Sequence, residues 1–153
     1  MKKYLFVGLI GFVLGNAFWY LASPLWVDRV VSETLVRSAN SAVIKSGTFK
    51  DADASHRGSG QVEIIETAGE SVLRFSDFEV TNGPDLFVWL VKDKALKNSD
   101  DVKSSPTLEL QPLKGNIGDQ NYTLPAGINI DNYGSVVVWC KQFGVLFASA
   151  ELN

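Results

Sequence analysis

Residues 135–152 read SVVVWCKQFGVLFASAEL. Val136, Val137, Val138 and Trp139 form a β-branched and aromatic run, the composition of a buried strand. Lys141, Gln142, Phe143 and Gly144 supply a turn, because Gly144 is free to take positive φ. Val145 to Leu152 reads as the returning strand. Cys140, the only cysteine of the chain, then falls at the end of a central strand beside a turn. A thiol so placed is either a fixed reactive group or a small buried hydrophobe, and burial is common for free cysteine.

The residues upstream repeat this pattern of short apolar runs and turn residues. From Gly47 onward no helical period outlasts two turns. QVEIIE (61–66), SVLRF (71–75), LFVWLV (86–91), TLELQPL (107–113) and Gln120–Leu124 read as strands. Asn82-Gly83-Pro84-Asp85 is a strong turn signal. LFVWLV is apolar on both faces, as a central strand requires. Lys92 to Pro106 is polar and reads as a long exposed loop. The expectation is a single all-β domain, sandwich- or barrel-like, over residues 47–153.

The N-terminal part has another character. Lys2 and Lys3 precede Tyr4–Ala22, nineteen residues without charge. At the helical rise these span about 28 Å, close to a hydrocarbon core of about 30 Å. Trp19, Tyr20 and Trp26 sit at the far end, where amphipathic rings favour the membrane interface. Pro24 spoils the small-residue cleavage point at Leu21-Ala22-Ser23, so residues 1–26 read as an uncleaved anchor rather than a removed signal. Both readings export the rest of the chain, with the lysines left on the cytoplasmic side. Residues 27–46 read as a linker or stalk. Val27, Val30, Val31, Thr34 and Leu35 share a face at helical spacing, so a short amphipathic helix and a solvated linker are both open.

Charge and residue scarcity exclude several functions. The net charge of −3 divides into +3 over residues 1–46 (five cations, two anions) and −6 over the remainder. An acidic domain lacks the basic face that nucleic acid needs. One histidine, His56, and one cysteine cannot build a blue-copper or structural zinc site. The lack of a Cys-x-x-Cys-His motif excludes covalent c-type haem. Gly58-Ser59-Gly60 has neither the spacing nor the second histidine of a serine hydrolase. Asp51–Ser55 begins like a calcium loop but has His56 where glycine belongs and Val62 where glutamate belongs. One thiol and one imidazole remain. A histidine close to a cysteine can stabilise its thiolate, but the sequence does not say that these two meet.

Several spaced residues carry a resemblance. Gly47-Thr48-Phe49, His56-x-x-Ser59-Gly60, Phe78, Gly83-Pro84-Asp85-Leu86, Leu113-Lys114-Gly115, Gly118-x-Gln120-x-Tyr122-x-Leu124-Pro125 and Val138-Trp139-Cys140-x-x-Phe143-x-x-x-Phe147-x-x-Ala150-x-Leu152 occur in the order found in the electron-transfer DM-thirteen domain, which residues 47–152 resemble. The resemblance implies an extracytoplasmic, periplasmic or cell-surface, β-rich domain. In it Cys140 is a redox centre, as a bare thiol or as a ligand of a prosthetic group such as haem; His56 either joins it in binding that group or only hydrogen-bonds a loop, and the loop role is the expectation. No cytochrome module is attached in this sequence, so the implied electron partner is another protein. The competing expectation is an interaction or ligand-binding module in which Cys140 only packs.

Overall fold

The computed structural model describes residues 2–23, 26–35, 40–67 and 69–153. Pro24, on which the anchor-versus-signal argument turns, and Ala68 of the 67–70 turn lie outside them.

The apolar N-terminal run is a helix, α1 (Lys2–Ala22). Its stretch Lys2–Tyr20 is long and apolar enough to cross a membrane. Its side chains from residue 2 to residue 20 are exposed, Tyr4, Phe6, Phe12 and Phe18 among them.

Among the described residues nine strands follow: β1 (Val30–Ser32), β2 (Ala42–Asp51), β3 (Gly58–Thr67), β4 (Glu70–Val80), β5 (Leu86–Val91), β6 (Thr107–Pro112), β7 (Ile117–Thr123), β8 (Ser135–Cys140) and β9 (Val145–Glu151). They form one curled sheet in the order β1-β7-β4-β3-β2-β9-β8-β5-β6. The all-β expectation holds, with the helix ahead of the domain. β2 joins the two halves. Its residues Ala42–Thr48 pair with β3, and Phe49–Asp51 pair with β9.

The curl encloses the main core. Phe49, Ile64, Leu73, Phe75, Phe78 and Tyr122 from one half meet Val88, Leu90, Val136, Val138, Cys140 and Ala150 from the other. β8 is buried at every residue because both of its faces are covered. Val136, Val138 and Cys140 face this core, while Val137 and Trp139 join a second cluster with Val91, Val102 and Leu146. Period-two alternation between two covered faces explains the unbroken apolar run.

Val102 belongs to α2 (Ser99–Ser104), so the expected loop over 92–106 contains a short helix. Asn98 caps it, accepting from Asp100 N and Asp101 N while the Asp101 side chain bonds back to the cap. This capping box satisfies the first-turn donors of a helix too short to show a period. α2 is what closes the second face of β8.

The helical spacing at Val27–Leu35 also gives way. Val30–Ser32 is an edge strand, parallel to β7, with Val31 opposite Gly118. A Cβ on Gly115 would collide with Arg29 O, and one on Gly118 with Val31 O. The two glycines thus make room for the backbone of β1. Side chains clamp it at both ends. The Glu33 carboxylate takes Lys114 Nζ at 2.8 and 2.9 Å and Asn121 N at 2.8 Å. Asp28 Oδ1 accepts from Asn82 and Asn116, each at 2.8 Å. The sheet therefore takes in strands upstream of Gly47.

Candidate functional site

Cys140 is the last residue of β8, opposite Leu86 on β5 and Val145 on β9. It is fully buried, and its Sγ donates to Pro84 O at 3.0 Å. Pro84 lies in the Asn82–Asp85 turn, which Lys141 N secures by donating to Asp85 O at 3.1 Å. Gly83 fits because it has no side chain, since a Cβ there would come within 2.5 Å of Phe147 Cζ. The expected turn at 141–144 is present, with Gly144 N bonded to Cys140 O at 2.9 Å and Gly144 at φ +63°.

Phe147 owes its position to a bulge in β9. Trp139 pairs with Leu146 and Val138 with Ala148, which leaves Phe147 as the extra residue. Leu146 faces the second cluster, whereas Phe147 and Ala148 both turn to the main core. An inserted residue re-aims its side chain in this way.

His56 lies in the loop between β2 and β3. Its ring packs on Phe147, with centroids 4.4 Å apart. Its Nδ1 lies 2.8 Å from Asp53 Oδ2, and Asp53 Oδ1 accepts from the backbone N of Ser55 and His56. The His56 side-chain bond, followed by these two N–H bonds, lowers the Asp53 carboxyl to about 2. The acidic segment is thus a solvated turn that orients the imidazole. His56 and Cys140 come to the same end of the sheet without joining. The imidazole is engaged by Asp53 and Phe147, and the thiol by Pro84.

A cleft of about 300 Å³ opens beside the Asn82–Asp85 turn. Val27, Arg29, Asp85, Leu86, Phe87 and Asn116 are among its walls. Nothing in the sequence marked this cleft, because its walls come from three separate segments. Phe147 was visible only as a residue of the resemblance, since a bulge leaves no local signature.

The fit of a haem can be judged from these surroundings. An axial thiolate needs an open side facing the iron. Cys140 has none, being enclosed in the main core and bonded to a carbonyl. Its surroundings as placed do not fit a haem. Among the described residues no three His, Cys, Asp or Glu side chains converge as a metal site.

A curled all-β sheet, preceded by an exposed apolar helix and holding one buried thiol at a strand end, defines a class of small β domain. The chain belongs to the Electron transfer DM13 family, whose profile matches residues 48–152. Membership ties it to an electron-transfer-related role. Comparison with curated proteins and with solved structures gives no match.

Proposed function

We propose that this chain is a membrane-anchored, extracytoplasmic electron-transfer domain whose redox group is the Cys140 thiol itself. The observation that carries the reading is the single turn between thiol and solvent. Pro84 O, the thiol's acceptor, belongs to a half-exposed turn at the rim of the cleft. Asp85, exposed in that turn, is held at φ +56°, a conformation rare for non-glycine residues. Opening the turn uncovers the sulfur without disturbing the sheet. Because the chain has one cysteine, its disulfide chemistry is intermolecular. The Cys140 thiolate attacks a disulfide of a partner protein, a new S–S bond forms, and the partner's second sulfur leaves as thiolate. Export is supported by α1, whose apolar side chains lie exposed, and by Lys2 and Lys3 at its start.

The complete burial of Cys140 favours a second reading, an interaction module with a packing cysteine. Alkylation of the native protein across a denaturant series separates the two. A redox thiol reacts through local opening, so its rate is nearly independent of low denaturant. A rate that tracks global unfolding down to zero denaturant leaves only the packing role.

A further inference from the structure

One end of the sheet collects every segment described around Cys140 and His56. It holds the 52–57 loop, the 81–85 turn, the 113–116 loop and the 141–144 turn. Hydrogen bonds knit them: Thr81 N to Arg57 O, Val80 N to Asn116 O and Leu113 N to Leu86 O. The chain arriving from α1 docks at this same end. Arg29 N donates to Asn116 Oδ1 at 2.6 Å, and Asp28 is held by Asn82 and Asn116. Only six residue steps lead from Ala22, the last of α1, to Asp28. Fully extended they reach about 20 Å. β3 and β4, ten and eleven residues long, carry the 67–70 turn about 30 Å away along the sheet. A free stalk over 27–46 would let either end approach a membrane, whereas a docked one does not.

From this geometry we infer that the Cys140 end of the domain rests on the lipid surface, with the 67–70 end pointing away. The inference relies on α1 being a retained anchor. The residues exposed at this end suit a headgroup boundary. Trp26 is 53% exposed, Val27 47% and Phe143 65%. Arg29 and Lys141 are exposed at the same end, with Lys141 Nζ 3.0 Å from Glu109 Oε1 and 4.4 Å from the centre of the Phe87 ring. Aromatic side chains with flanking cations are the set that settles at a lipid interface. The partner of this face is a phospholipid surface, so a protein that reaches Cys140 through the Asn82–Asp85 turn meets it at the membrane boundary.

The test uses the full chain in phosphatidylcholine nanodiscs carrying headgroup nitroxides. One fluorophore is attached at Phe143→Cys and, in a second preparation, at Glu70→Cys. Unmutated protein controls for labelling of Cys140. The expected result is quenching several-fold stronger at 143 than at 70. Releasing the strap with Glu33→Lys, or independently with Asp28→Ala, brings the two values together. Equal quenching in the unreleased protein, on chains that co-migrate with the discs, overturns the orientation and leaves the anchor standing. A chain that does not co-migrate overturns the anchor, and the orientation with it.

Discussion

The thiol of Cys140 and the carbonyl of Pro84, 56 residues apart in sequence, meet at 3.0 Å. This contact fastens the end of β8 to the turn before β5. Cys140→Ser keeps a donor for Pro84 O, whereas Cys140→Ala removes both the donor and buried volume. The expected loss is about 1–3 kcal/mol for alanine and a smaller one for serine. Denaturant midpoints at constant slope measure it. A serine variant less stable than the alanine variant would show that the bond contributes nothing.

Gly118 and Gly69 both have positive φ, at +98° and +83°, but only Gly118 lies against another strand. Alanine at Gly69 meets nothing within 4 Å, so it carries the conformational cost alone, about 1 kcal/mol. Gly118→Ala carries that cost and also pushes β1 off β7. Hydrogen exchange should then show lost protection at Glu33 N, which donates to Asp119 O. Retained protection there would refute the account of β1 docking.

Docking of β1 should weaken in acid. Burial raises the Glu33 carboxyl, but the Lys114 hydrogen bond, Asn121 N and the charges of Lys114 and Arg74 together outweigh it, and the net shift is downward. A carboxyl lowered by folding adds stability above its unfolded value, and that stability is lost as pH falls through the folded value. Protection of Glu33 N should therefore fall as pH drops below about 4.5, the ordinary glutamate value. Glu33→Gln should flatten that dependence. With Glu33 and Lys114 each about one-third exposed, the pair contributes modestly, about 1 kcal/mol.

Asp53 gives a separate titration. In the wild type its carboxyl should titrate near 2, as read by carboxyl carbon NMR. His56→Ala removes the side-chain partner and should bring it part of the way back to 3.8, since the backbone donors at residues 55 and 56 remain. No movement would mean that the imidazole does not hold this loop.

Tyr122 is buried at the centre of a polar lock. Its hydroxyl donates to Gln120 Oε1 at 2.7 Å and accepts from Lys114 N at 3.2 Å. Gln120 in turn bonds Gly115 N and O, fixing the loop on which β1 rests. Burial pushes the phenol above its ordinary range. Tyr122→Phe leaves Lys114 N without its acceptor and Gln120 Oε1 with Gly115 N alone, at a cost of about 1–3 kcal/mol. In alkaline absorbance titration the wild-type ring should ionise only as the domain unfolds.

Much of the sheet was legible because its signals are local. β5 occupies the very residues of the LFVWLV run, and β8 ends at Cys140 as its β-branched run implies. What escaped depends on distant partners. β1 is three residues long, and Val30 and Val31 suit one face of a helix as well as they suit a strand. The choice is made by Gly115 and Gly118, far along the chain. α2 buries one valine behind an Asn–Asp cap, too little apolar pattern for a period to register. At the candidate site, Cys140 could be placed at its strand end, but its acceptor, the cleft and the Phe147 bulge arise only from tertiary register.

The double pairing of β2 also constrains when the domain can form. Phe49–Asp51 find their partners in Ala148–Ala150, about a hundred residues later. The β2–β3–β4 hairpins can assemble early, but the seam between the halves stays open until the last strand has emerged. A domain that leaves a ribosome or a translocation pore with β1 leading therefore completes this fold only once β9 has emerged. Until then the sheet edge of β2 is bare, and it is there that a stalled or truncated chain should aggregate or recruit a chaperone.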